Sequence, residues 1–135
     1  MLFTNFTFAS EYRATVANKT ITYDAPSLQA KKLHILGQGY PLEIVINNGD
    51  WIKTRDNEGM LAWVESKTLS SKRTVIALRS TQLKQAANES ASIVATIEKN
   101  VILAIIESTS KNGWLKVRHR DGYTGYIQSS DVWGY

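Results

Sequence analysis

Apolar and polar residues alternate most clearly between Asn112 and Asp131, in NGWLKVRHRDGYTGYIQSSD. Leu115, Val117 and His119 alternate there with Trp114, Lys116, Arg118 and Arg120, the period of a half-buried strand. Leu115 and Val117 are expected to face a core, leaving one indole and three cations in a row on the other face. Asp121-Gly122 predicts a tight hairpin turn, because glycine accepts positive φ without steric cost. The return strand Tyr123 to Ile127 is expected to bury Ile127, with Gly125 allowing a close backbone approach.

The same pattern occurs earlier in weaker form. Trp51 matches Trp114, Lys53 matches Lys116, Arg55 matches Arg118, Gly59 matches Gly122, and Trp63-Val64 matches Tyr126-Ile127. Upstream, Leu42 to Val45 matches Leu103 to Ile106, and the loop between strand and hairpin is two residues longer in the second copy. Self-similarity at a period of about sixty residues means two copies of one small unit.

Taken in order, Thr20 to Ser27 reads as a strand ending in a Pro turn, after a lead-in over Glu11 to Lys19. Strands follow at Leu33 to Leu36 and Pro41 to Ile46, then the first Trp hairpin and Leu69. Ser70-Ser71-Lys72-Arg73 is the best boundary. The second copy opens at Thr74 to Leu78 and continues with strands at Ile93 to Ile97 and Val101 to Ile106. Ala86 to Ala95 has helical propensity, but the repeat register makes it the counterpart of a loop in the first copy. Many short strands between turn clusters predict an all-β chain of two small five-stranded β-barrels. Their expected limits are 12–71 and 72–135, after a lead-in over 1–11. Each copy alone is near the size at which one core is only marginally stable, so the two are expected to pack together through residues such as Leu69 and Trp133.

Composition narrows the chemistry. The 135 residues include no Cys, which removes disulfides and thiol chemistry. The net charge is +4, and residues 1–71 carry seven Lys/Arg against seven Asp/Glu while residues 72–135 carry nine against five. The whole surplus therefore lies in the second copy. That excess is modest for a dedicated nucleic-acid binder. No apolar run reaches the length of a membrane span. Met1 to Ser10 is apolar and short; it reads either as the tail of a signal sequence cleaved near Ala9-Ser10 or as an edge strand carrying Phe6 and Phe8.

At these residues the chain resembles an SH3 domain, twice over. Ile21-Thr22-Tyr23-Asp24 is similar to the Ala-Leu-Tyr-Asp-Tyr opening of eukaryotic SH3 domains, and Gly39 to Val45 to the strand after their first long loop. Gly49-Asp50-Trp51 resembles the Trp start of the central strand, and Thr124 to Ile127 the closing segment. Gly113-Trp114-Leu115-Lys116-Val117-Arg118 resembles the Gly-Trp-x-Lys-Val pattern of bacterial SH3 repeats. The chain is thus identified as a tandem repeat of the bacterial SH3 (SH3b-like) family over roughly residues 14–133. The aromatic groove that binds proline-rich ligands in eukaryotic members is not reproduced. Ala25 replaces its second Tyr, Glu65 and Gln128 its Pro, and Thr68 and Asp131 its last Tyr, while Lys31-Lys32 stand where acidic residues would be. The resemblance to bacterial members implies an exported, periplasmic or otherwise extracytoplasmic module that binds peptidoglycan.

The candidate ligand residues are Trp114, Lys116, Arg118 and Arg120 in the second copy and Trp51, Lys53 and Arg55 in the first. An aromatic beside a row of cations suits an anionic, partly planar or sugar-like ligand. The two indoles could instead pack over the barrel mouth or between the copies. Trp133 and Tyr135 are expected to dock onto the first copy. His34 and His119 stand alone, so no metal site is expected, and no phosphate loop appears, so no cofactor is expected either. No residue pattern supports a hydrolase, and the chain is read as not an enzyme. The leading expectation is a non-catalytic cell-envelope module that binds cell-wall peptides or an envelope protein, with binding stronger in the second copy. The alternative is a nucleic-acid-binding module on an SH3-like barrel.

Overall fold

The computed structural model of the chain describes residues 10–107 and 112–135. The signal-sequence and edge-strand readings of residues 1–9, and most of the longer loop at 108–111, lie outside the described residues. The first copy runs β1 (Tyr12–Thr15), β2 (Thr20–Tyr23), β3 (Lys32–Leu36), β4 (Pro41–Asn47), β5 (Trp51–Arg55) and β6 (Leu61–Glu65), then a 3₁₀ turn (Ser66–Thr68) and β7 (Leu69–Ser70). The second repeats it as β8 (Thr74–Ala77), β9 (Thr81–Lys84), β10 (Ile93–Ile97), β11 (Ile102–Ile105), β12 (Trp114–Arg118) and β13 (Thr124–Gln128), with a 3₁₀ turn (Ser129–Asp131) and β14 (Val132–Trp133). Every pairing is antiparallel. The strand orders, β3-β2-β6-β5-β4-β1-β7 and β10-β9-β13-β12-β11-β8-β14, are the same.

The all-β expectation holds, and the expectation of five strands in each copy is corrected in count. Each copy is one seven-stranded sheet whose outermost strands, β3 and β7 or β10 and β14, do not pair with each other. The lead-in holds a strand, β1, because Ala14 and Thr15 are buried and pair with both β4 and β7. β9 was also missed. Three of its four residues are polar, yet Leu83 is fully buried. Ala86 to Ala95 is a loop running into β10, as the register predicts. The hydrogen bonds Asp24 N to Lys31 O and Gln85 N to Ser92 O close the same loop in both copies, 61 residues apart.

The two interiors differ. The second is apolar, built from Val75, Leu83, Ile97, Leu103, Leu115, Val117, Ile127 and their neighbours. The first centres on Leu42, Ile52 and Val64, with Thr15, Thr20, Thr22 and Thr54 buried around them. Buried hydroxyls need partners. Thr15 Oγ1 donates to Gly37 O at 2.7 Å and Thr54 Oγ1 to Ala62 O at 3.1 Å, while Thr22 Oγ1 accepts from His34 N. Thr20 Oγ1 has no partner among the described residues. In the second copy the same position is Thr81, whose hydroxyl donates to Asp131 at 2.6 Å. The first copy has Thr68 in place of Asp131, and Thr68 turns to Glu65 O instead. Thr20→Val should therefore stabilise the chain by about 1 kcal/mol, since it removes an unpaired buried hydroxyl. Denaturant unfolding measures this, and a destabilised variant would show that the hydroxyl is satisfied.

The copies pack on each other. Trp133 stands edge-on to Tyr12 at 5.3 Å and 89°, and the Arg73 guanidinium lies 5.6 Å from the same tyrosine ring. Thr74 Oγ1 donates to Gly39 O at 2.7 Å. Trp133 and Leu69 are half-buried, and Trp133 docks on the first copy as expected. Tyr135 does not; its hydroxyl donates to Ser129 O in its own copy. Tyr40 is a structural residue at the start of β4. Its hydroxyl donates to Asn57, and burial, reinforced by Asp56 and Glu58, raises its pKa above the ordinary tyrosine value.

Candidate functional site

Each copy has a groove beside the Trp that opens β5 or β12. The two share equivalent walls at Trp51 and Trp114, Leu28 and Glu89, and Glu65 and Gln128, and otherwise extend over different elements. In the first copy Trp51 leaves a tight turn, with Asn48 N donating to Trp51 O and Gly49 at φ 84°. Its half-buried indole stands edge-on to the buried Tyr23 at 5.4 Å and 85°. The groove there has a volume of ≈ 550 Å³, and Pro26, Leu28, Asp50, Trp51, Glu65 and Lys67 are among its walls. Leu28 is exposed on the rim, and Lys67 pairs with Glu65 at 3.4 Å. This groove has mixed polar and apolar walls and is mildly acidic, with Asp50 and Glu65 against Lys67.

The second groove is smaller, ≈ 330 Å³, and more polar. Trp114 forms one wall but is only 7 % exposed. Where the first copy has Tyr23 opposite Trp63, the second has Lys84 opposite Tyr126. Lys84 is itself 8 % exposed, and its Nζ donates to Glu89 O at 3.1 Å. The Glu89 carboxylate accepts from Gln128 Nε2 at 2.7 Å.

The residues chosen from sequence are only partly brought together. Trp114, Lys116 and Arg118 share the face of β12 opposite buried Leu115 and Val117. Arg120 leaves this row because β12 ends at Arg118 and the chain turns, with Gly122 N donating to His119 O. Lys116 is half-buried and paired with Glu107 at 3.6 Å, and Arg118 is exposed. In the first copy Trp51, Lys53 and Arg55 also share a face, but Arg55 is held by Glu43 at 3.1 Å. His119 stacks on Tyr123 at 4.5 Å within its turn. Among the described residues no group of three His, Asp or Glu is placed to hold a metal. Sequence reasoning missed Lys84, Glu89, Asp50 and Glu65 as groove residues. Aligning the copies on their shared loop would have found Lys84, which falls 61 residues after Tyr23.

The fold and paired grooves define a tandem module of one class. The bacterial SH3 domain family matches residues 16–71 and again 82–134, and the chain belongs to that family. Among solved structures it is similar to NlpC2 from Trichomonas vaginalis, at 15 % identity and a TM-score of 0.43, over 93 % of this chain and 48 % of that one. NlpC1 from the same organism is similar at 16 % identity and a TM-score of 0.42, over 96 % of this chain and 47 % of that one. An NlpC/P60 family protein from Bacillus cereus is similar at 14 % and 0.42, over 93 % and 56 %. The chain spans about half the length of these proteins. No curated protein matches it.

Proposed function

We propose that the chain is a non-catalytic binding module of the cell envelope, exported to the periplasm or beyond, that recognises cell-wall peptides or a segment of an envelope protein. One observation carries this reading. An open groove walled by a tryptophan and charged or polar side chains lies beside the equivalent tryptophan in both copies. Grooves with an aromatic wall and a few oriented polar groups suit short peptides. Membership of the bacterial SH3 family supports the same reading. In this reading each sheet curls around its own core as an SH3-like barrel, with limits at 12–71 and 72–135. No helix among the described residues is long and apolar enough to cross a membrane. The nucleic-acid alternative is less favoured, because Lys116 and Arg55 are engaged by Glu107 and Glu43.

The test is retention on purified peptidoglycan that carries its stem peptides, against the same material stripped of them by an amidase. Retention on the first and release from the second is expected at moderate salt. Trp51→Ala should weaken retention about tenfold, the typical cost of truncating a central interface tryptophan. Equal passage through both materials, with salt-sensitive retention on immobilised DNA, would sink the reading.

A further inference from the structure

We propose that the second groove is a carboxylate-binding site in which Lys84 is the anchor, so that the peptide recognised by this module presents a free carboxylate to the second copy. The proposal rests on the binding-module reading above and specifies which chemical end of the ligand that groove takes.

Lysine is rarely buried without a charged partner, because desolvating an ammonium costs several kcal/mol unless its donors are satisfied. Lys84 is more than nine-tenths buried and lines the groove. An ammonium has three donors. Among the described residues the Lys84 ammonium makes one hydrogen bond, to the Glu89 carbonyl, and no carboxylate forms an ion pair with it. The neighbouring carboxylate, Glu89, lines the same groove and accepts from Gln128 Nε2, which also lines it. A buried ammonium facing an open groove with spare donors is the arrangement a bound carboxylate completes. Gln82 and Thr96, on adjacent strands, line the same space and add an amide and a hydroxyl. Trp114 closes one side and shields the ion pair from water.

The first copy cannot do the same. Tyr23 stands where Lys84 would be, and the groove beside it carries Asp50 and Glu65 against Lys67 alone. A carboxylate is repelled there, so the two grooves differ in charge preference although the fold around them is the same. Glu89 sets a limit on the ligand. Its own negative charge disfavours anions larger or more highly charged than one carboxylate, so phosphate and polyanions are not the expected ligands.

The experiment uses the full chain with two probes, N-acetyl-dialanine and its C-terminal amide, followed by the indole N–H resonances of the tryptophans. The carboxylate form should shift Trp114 and leave Trp51 unmoved, and it should bind about tenfold or more tightly than the amide, since a hydrogen bond to a charged group is lost in the amide. Lys84→Met should remove that difference, while Lys84→Arg should retain much of it. Equal responses to the two probes, a response at Trp51 instead of Trp114, no response at millimolar probe, or a preference that survives Lys84→Met would each overturn the proposal. The probe comparison on the native chain does not depend on any variant folding. The two ideas also fail differently. If stem-peptide peptidoglycan retains the protein but the probes are not distinguished, the carboxylate site is wrong and the module reading stands. If the probes are distinguished but peptidoglycan does not retain the protein, the site stands and its ligand is not the cell wall.

Discussion

Gly125→Ala should destabilise the chain by about 3 kcal/mol, at the upper end of what one extra methyl group costs in a packed interior. β13 runs between β9 and β12, and a Cβ at Gly125 would lie 2.6 Å from Lys84 O and 2.7 Å from Leu83 Cγ. Neither neighbour yields easily. The first is backbone of the next strand, and Leu83 has no exposed surface into which it could swing. The first copy divides the same space differently. There Ala62 occupies the position of Gly125 and Thr22 that of Leu83, so the added methyl on one strand is matched by a smaller side chain on the next. At about 4–8 °C per kcal/mol for a small domain, the melting temperature should fall by more than 10 °C. Gly37→Ala is the control. A Cβ at Gly37 would meet no heavy atom within 4 Å, and that variant should stay within about 0.5 kcal/mol of the native chain. If Gly125→Ala melts with the native protein, the close approach of β9 to β13 is wrong. If Gly37→Ala loses as much, the loss has a cause other than packing.

The hairpins, the repeat and the contact between copies were legible because each rests on a strong local signal. Leu115, Val117 and Ile127 alternate with polar residues, and all three are buried. Gly122 takes φ 101° in the turn, as the Asp-Gly pair implies. Trp133, a large apolar residue near the end of the sequence, needed a surface to cover and found Tyr12. β1 and β9 were not legible. Each has four residues, and in each the polar positions belong to threonine, arginine, glutamine or lysine side chains that the sheet holds at its margins or buries with a partner. Their strand character comes from ladders formed with residues far along the chain, Ala14 with Pro41 and Ser70, Leu83 with Ala95. No local pattern encodes such partners.

The candidate site was legible as two tryptophans and not as a charge pattern. A surplus of cations in the second copy does not say which cations are engaged. Glu43 lies within Arg55's reach through the β4–β5 pairing, and Glu107 reaches Lys116 from the end of β11. Those pairs are partly exposed and worth little to stability, yet they reduce what the row offers a ligand. Nothing in the sequence marks Lys84, because a lone lysine beside Leu83 looks like any surface lysine. Its burial follows from position in the sheet, between β10 and β13, where the first copy places an aromatic ring.

Gly134→Ala should separate the unfolding of the two copies. Gly134 sits at φ 121°, a conformation that side-chain-bearing residues rarely adopt, and a Cβ there would lie 2.8 Å from Pro41 Cβ and 2.8 Å from Thr74 O. One of those neighbours belongs to the first copy and the other to the second, so the added methyl acts as a wedge at their junction. Backbone strain of this kind costs about 1–3 kcal/mol, and the clash adds to it. Relief by local movement would carry Trp133 away from Tyr12, forfeiting an edge-to-face pair worth about 0.5–1.5 kcal/mol. It would also move Tyr12 away from the Arg73 guanidinium, a cation–π contact of about 0.5–1 kcal/mol at an exposed site. The native chain is expected to unfold in one step, because the smaller core around Leu42, Ile52 and Val64 is stabilised by its neighbour. In the variant the first copy should unfold at lower denaturant than the second, giving two steps. Trypsin should then cut faster after Lys72 and Arg73, which lie exposed at the joint. An unchanged single transition, with unchanged cleavage at the joint, would mean that the two copies do not depend on this contact for stability.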